Sequence, residues 1–519
     1  VRRLAPGILA VGLLVAACQG TEPRAGNEAP VAAPGTVTTS TIPREVTTRA
    51  LDPRPGAAGI GDPLYPGLGN GGYDVVEYRI DLDVEPEMGT VRARTEVEAV
   101  ALHDLSSFNL DLVGMEVRRV EVEVDGVRSP AAWRRAGREL VVEPDEAIAA
   151  GSTFVADVTY EGIPAPVPER AVPFAPGWRK VGDTIYVFDQ PDGAAGWFPA
   201  NDHPRDRAAV RLTVTVPDDV VVVSAGERTR RKVGAGRVEY RWVVEEPLAP
   251  YLLPLGIGPF EERSEPPAGS IPVTTWFDPD ILEGLLDPFR RQGEIVQFFA
   301  ERFGPYPFDR VGALVVEDDG LRAALETQEV STYTSGSLAW GEAVVAHELA
   351  HQWFGDHVTV ARWDDIWLNE GFATFSQWLW LEHDVGRDAY DRQVDRAYRV
   401  MSGLDRAESA GVSAGEAARQ ARRAFPPPDH PRADQLFTPS VYQRGGLTLV
   451  ALRDLVGDEA VFDVLGEWVR RFGGGSATTE DFIALVEERL GTEAAELVRA
   501  FVDDPQIPPM PSRGLAPPG

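Results

Sequence analysis

Two of the seven histidines in this 519-residue chain stand four positions apart, in His347-Glu348-Leu349-Ala350-His351. On a helix that spacing puts both imidazoles on one face, one turn apart. Two such nitrogens can each approach a Zn²⁺ at about 2.0–2.1 Å. Glu348, beside the first ligand, can reach a water instead of the ion and serve as its general base. A catalytic zinc keeps three protein ligands and one open position. Glu370, in Trp367-Leu368-Asn369-Glu370-Gly371, supplies the candidate third ligand. One Zn²⁺ per chain is expected.

These residues need a helix, a reversal, and a second helix running back beside the first. Gly355 is the expected stop of the first helix, and Asp364 and Asp365 are the expected starts of the second. The run Ala343-Val344-Val345-Ala346 is apolar, so the first helix should be largely buried. Two imidazoles and a carboxylate on a buried helix require partners, since unpaired polar groups there are costly. A metal with a third ligand meets that requirement better than a pair of ordinary helix histidines.

HELAHQWFGD from His347 to Asp356 and WLNEGFATF from Trp367 to Phe375 resemble the aminopeptidase N (membrane alanyl aminopeptidase) family of zinc metallopeptidases, in the gluzincin clan. The resemblance runs from roughly Gly61 to Phe501. It implies an α+β multidomain fold: an N-terminal all-β, saddle-like domain, then a thermolysin-like, mainly helical zinc peptidase domain. It further implies that Tyr442, in Val441-Tyr442-Gln443-Arg444-Gly445, stabilises the oxyanion. Ala323-Ala324-Leu325-Glu326-Thr327 is similar to the family's Gly-Ala-Met-Glu-Asn stretch, with Ala323, Leu325 and Thr327 as departures. By that resemblance Ala323, Ala324 and Glu326 bind substrate, Glu326 holding the α-ammonium, with Glu329 as its rival for that role. Gln190 and Asp192, in Phe188-Asp189-Gln190-Pro191-Asp192, match positions near the amine, although the family's acid is commonly Glu.

Other parts of the chain are read from pattern. Tyr78–Val84, Val117–Gly126, Phe154–Tyr160 and Val210–Val216 alternate apolar and polar residues, as half-buried strands do. Asp287 to Phe303 has helical apolar spacing and stops at Gly304-Pro305; Val311–Val316 reads as a strand. Residues 376–424 read as helical, and Thr478-x-x-Asp481 as a capping arrangement. Arg2-Arg3, the apolar run Ile8 to Ala17, and small residues before Cys18 have the layout of a lipoprotein signal peptide. Cys18, the sole cysteine, is the expected lipidation site of a bacterial lipoprotein. The expected divisions are a signal peptide over 1–18, a flexible tether over 19–60, and a β domain over 61–270. A catalytic domain over 271–503 and a disordered, Pro-rich tail over 504–519 complete them.

A formal net charge of −31 and a pI near 4.6 argue against nucleic acid, whose phosphates need a basic face. The expected activity is hydrolysis of the N-terminal peptide bond of peptides with a free amine. It would take place on the extracytoplasmic face of a bacterial membrane, with the protein held by the lipid. The alternatives are a thermolysin-like endopeptidase and a lipid-anchored peptide-binding protein with little activity.

Overall fold

The structure is a computed structural model that describes residues 51–167, 172, 174–409 and 412–518. These form one body beginning at Leu51. The expected signal peptide, Cys18, and residues 19–50 of the expected tether lie outside the described residues.

The N-terminal half is β-rich, as the alternating segments require. Tyr73–Glu85 buries alternate residues up to Val75; a bulge then shifts its register between Val75 and Glu77, leaving Val76 46% exposed. Beyond it Tyr78, Ile80, Leu82 and Val84 face the core. Inserting one residue resets which face is apolar. This strand lies between Thr90–Ala101, antiparallel, and Ala208–Pro217, parallel, in an eight-stranded sheet. A four-stranded sheet contains the hairpin Gly177–Val181 and Thr184–Phe188. The loop leaving Phe188 carries Gln190 through fully buried surroundings.

A five-stranded sheet begins the second half, in the order Glu261–Ala268, Ile271–Phe277, Val311–Val316, Val330–Thr334, Ala324–Leu325. Glu261–Ala268 pairs antiparallel with Ile271–Phe277, so the expected boundary at 270/271 would divide a hairpin; the β domain ends near Phe260. Gly269, with φ 64°, makes that tight turn, and its composition reads like a linker. The short strand Ala324–Leu325 pairs antiparallel with Val330–Thr334 and leaves its other edge open.

Ten α-helices follow among the described residues: α1 Gln292–Phe303, α2 Glu342–His351, α3 Trp367–Asp384, α4 Arg387–Ser402, α5 Leu404–Ser409, α6 Ala414–Ala424, α7 Gly445–Val456, α8 Asp458–Phe472, α9 Thr479–Leu490 and α10 Thr492–Asp503. Thr478 and Asp481 form the reciprocal capping box at α9. No helix among the described residues is long and apolar enough to cross a membrane.

Two further expectations are corrected. The tether does not reach residue 60: Arg54–Pro55 pairs with Leu105–Asp111, and the Gly56 amide donates to the Ser107 carbonyl at 2.8 Å. Nor are residues 504–518 a loose tail. Ile507, Met510 and Leu515 are buried, the Tyr398 hydroxyl donates to the Pro508 carbonyl at 2.9 Å, and Arg513 pairs with Asp454 at 2.6 Å. Pro-rich composition suggested disorder, but three apolar anchors and one guanidinium hold the segment down.

Candidate active site

α2 and α3 deliver the candidate metal ligands, and the turn leaving α2 packs on α3 through Phe354 and Phe372, whose rings lie 5.1 Å apart. α2 ends at His351, before Gly355. Gly355 serves a different purpose. At φ 137° it lets the loop pass against the site, where an added Cβ would sit 3.2 Å from His351 Nδ1. Asp364 and Asp365 do not cap α3. They lie in a 3₁₀ turn before it, and Asp365 instead accepts from the amide and hydroxyl of Thr479, at 3.0 and 2.8 Å.

The two imidazoles and the third carboxylate meet as the spacing requires. His347 Nε2 and His351 Nε2 stand 3.3 and 3.5 Å from Glu370 Oε2. Ligands held at about 2.0–2.2 Å with tetrahedral angles stand roughly 3.3–3.5 Å apart, so the three atoms fit Zn²⁺. The His351 Nδ1 lies 3.0 Å from the Phe354 carbonyl, a contact that sets the tautomer and aims Nε2 inward. The electrostatics also fit a cation. Burial disfavours a charged His351, yet Glu326, Glu370 and Glu348 overcome it and raise its pKa to about 10. Burial opposes ionisation of Glu370 too, but the two histidines hold it down at about 2.

Glu348 is buried, and burial raises its pKa well above the usual carboxylate range, with Glu326 and Glu370 adding to the effect. Ligand atoms of Glu326, Glu348 and His351 all lie within 4.8 Å of one another. Glu326 is raised by burial to about 7, against the lowering effects of His351 and of the bond from Gln190. The Gln190 amide nitrogen donates to Glu326 Oε1 at 2.7 Å.

Tyr442 lies in a wide π-type turn, Ser440–Arg444, immediately before α7. Such turns recur where a side chain must be aimed at a site. Its ring lies 6.0 Å from that of His347 at 26°. Burial and the three carboxylates raise its pKa well above the phenolic value, so the hydroxyl keeps its proton for donation. Close approach of α3 and α7 makes this possible: a Cβ on Gly371 would meet the Gly445 Cα at 2.7 Å. The Arg444 guanidinium fixes the turn from behind by donating to the Phe501 and Asp504 carbonyls at 2.6 and 2.5 Å, at the end of α10.

His347, Glu348, His351, Glu370, Glu326, Ala323, Ala324, Gln190 and Tyr442 all line one cleft of about 430 Å³. Asp192 does not belong to it. Its carboxylate is buried 2.5 Å from Arg138 Nη1, and Arg138 also binds Asp111 at 2.8 Å. A guanidinium from the Glu139–Glu143 hairpin region captures it, a long-range partner that no local motif reveals. Glu329 is excluded as well: it accepts from the Gly226 amide at 2.7 Å and lies 3.3 Å from Arg310.

Sequence reasoning passed over Gln352. Its side-chain oxygen accepts from the Glu329 amide at 2.8 Å, and its nitrogen donates to the Thr327 carbonyl at 3.4 Å. It therefore ties the Glu326-bearing segment to the end of α2. The residue stands inside HELAHQWFGD, but its partners lie more than twenty positions earlier in the chain and leave no local pattern. Arg322, Trp340, Gln377 and Gln443 also line the cleft, with Val344 of α2. They come from four separate stretches, and no spacing rule links them.

A β domain leading into a helical half with a His-His-Glu centre over an open sheet edge defines the two-domain gluzincin class of zinc peptidases. Residues 289–503 match the Peptidase family M1 domain. Over those residues it is similar to the aminopeptidase N family of this class, and its cofactor is zinc. It is 27% identical over 457 residues to leucyl aminopeptidase of Saccharolobus solfataricus, covering 84% of this chain and 54% of the relative. With tricorn protease-interacting factor F2 of Thermoplasma acidophilum it shares 25% over 458 residues, 85% and 54% of the two chains. The chain thus spans about half the length of the curated relatives it matches. The M1 zinc metallopeptidase of Deinococcus radiodurans superposes with a TM-score of 0.77 at 29% identity, covering 87% of this chain and 98% of the other. A mutant of that metallopeptidase has been solved with a Tyr-Ser-Ala substrate bound.

Proposed function

We propose that the protein is a zinc aminopeptidase that removes single residues from the free amino terminus of peptides. One observation carries this reading: Glu326, the amine-binding carboxylate, and Glu348, the base, present oxygens within 4.8 Å of each other. The α-nitrogen and carbonyl carbon of one residue are about 2.5 Å apart, so an ammonium on Glu326 leaves the first peptide bond within reach of Glu348. When bound, zinc supplies a Lewis acid that polarises the scissile carbonyl and acidifies water. Glu348 takes the proton from the attacking water and passes it to the leaving amine. The Tyr442 hydroxyl donates to the developing oxyanion. Glu326 and Gln190 hold the ammonium, and the open edge at Ala324 offers backbone groups to the extended substrate. The likeness to a metallopeptidase solved with a peptide substrate supports the same substrate class. Hydrolysis of aminoacyl chromogenic amides, with N-acetylated twins left intact, is the expected result. Equal cleavage of both forms would reject the reading.

We also propose that the protein is a bacterial lipoprotein, held through Cys18 on the extracytoplasmic face of the membrane. The basic, apolar and small-residue order of residues 2–18 supports this. Cys18→Ser should move the protein out of the membrane fraction; unchanged membrane association would contradict it.

A further inference from the structure

Arg322 is the only lysine or arginine among the cleft's lining residues, where it accompanies Glu326, Glu348 and Glu370. It is exposed, and no described carboxylate lies within ion-pair distance of it. The base of its side chain is nevertheless held. A Cβ added to Gly336, in the 3₁₀ turn Ser335–Trp340, would stand 2.4 Å from the Leu321 carbonyl oxygen and 3.1 Å from Arg322 Cγ. That turn packs against the root of the arginine and leaves the guanidinium in the solvent of the cleft.

We propose that Arg322 binds the C-terminal carboxylate of short peptides whose ammonium sits on Glu326, so that tri- and tetrapeptides with a free C-terminus are the preferred substrates. This rests on the aminopeptidase reading above. Direction is set by burial along the edge. Thr327, Gln328 and Glu329 are buried, and Gln328 donates to the Glu246 carbonyl at 3.1 Å, so the strand is closed beyond Glu326. Residues 322–324 are exposed or half-buried, so a peptide starting at Glu326 must run toward Arg322. Residues 322 and 326 are separated by about 13 Å if extended. An extended peptide of three or four residues spans roughly 10–13 Å, within reach of a flexible arginine. A guanidinium pairs with a carboxylate by two parallel hydrogen bonds.

The test compares trialanine with trialanine amide, and uses alanine p-nitroanilide, which has no carboxylate, as the reference. The zinc-loaded enzyme should favour the free acid over the amide by about three- to tenfold in kcat/KM. Arg322→Gln should erase that preference and leave anilide hydrolysis unchanged; Arg322→Lys should keep part of it. Anilide cleavage without any acid preference in the parent, or a preference retained in Arg322→Gln, would overturn the Arg322 assignment alone. Failure to cleave both anilide and peptides would overturn the aminopeptidase reading and this proposal with it.

Discussion

The Gln190 amide nitrogen donates to Glu326 Oε1 at 2.7 Å, joining a loop of the β domain to the edge strand of the catalytic sheet. Burial raises Glu326 to about 7, and the Gln190 bond favours its charged form, the form a substrate ammonium needs. Glu326→Gln should therefore lower kcat/KM for free-amine substrates by about 30-fold or more, the cost of unpairing a desolvated charge contact. Gln190→Leu should have a smaller effect in the same direction. Zinc content should be unchanged in both, as elemental analysis would show. Loss of zinc in Glu326→Gln would mean that this carboxylate acts on the metal instead.

His347, His351 and Glu370 would supply the ion's three protein ligands. Chelation should abolish turnover and added Zn²⁺ should restore it. Glu370→Ala should lose most bound zinc, whereas Glu348→Gln should retain it with kcat reduced by about 10²–10⁴-fold. A fully active Glu348→Gln enzyme would remove Glu348 from the role of base.

Asp192 is tied to Arg138 at 2.5 Å and lies away from the cleft. Asp192→Ala should leave KM for free-amine substrates unchanged and lower folding stability by about 1–3 kcal/mol, since it removes one charged partner of Arg138 while Asp111 remains. Chemical denaturation beside steady-state kinetics separates the two effects. A raised KM with unchanged stability would return Asp192 to the substrate site.

Asp189 titrates in the opposite direction from a paired carboxylate. Its Oδ2 accepts from Trp197 Nε1 at 2.9 Å, Oδ1 has no partner, and burial raises its pKa to about 8. The folded state therefore holds a proton that the unfolded chain releases near its ordinary value of 3.8. Stability from this group is full below about pH 4 and is lost as pH rises through about 8. Asp189→Asn keeps the acceptor for Trp197 and removes the titration. Relative to the parent it should gain on the order of 2–4 kcal/mol between pH 5 and pH 8, read from denaturation at each pH. Parallel pH profiles for parent and variant would contradict the assignment.

The cluster of His347, His351 and Glu370, with Glu348 beside it, was legible in the sequence because a helix converts spacing four into a shared face, and a second helix returns Glu370 beside it. Tyr442 and Glu326 were legible only through resemblance. Their distances from His347 depend on the Gly371–Gly445 helix contact and on the strand pairing of Ala324 with Tyr333, neither of which leaves a local pattern. Asp192 was misplaced because its partner, Arg138, lies 54 positions away in the chain. The fold was read well where alternation or helical spacing was long. It was misread at residues 51–60 and 504–518, where composition stood in for packing.

The products formed from an unblocked pentapeptide and its N-acetylated twin, followed by mass spectrometry over time, test the role of Glu326 most directly. Stepwise release of single N-terminal residues from the first and little reaction with the second is the expected result. Internal cleavage of both at similar rates would contradict it, because an ammonium held by Glu326 would then have no part in placing the scissile bond.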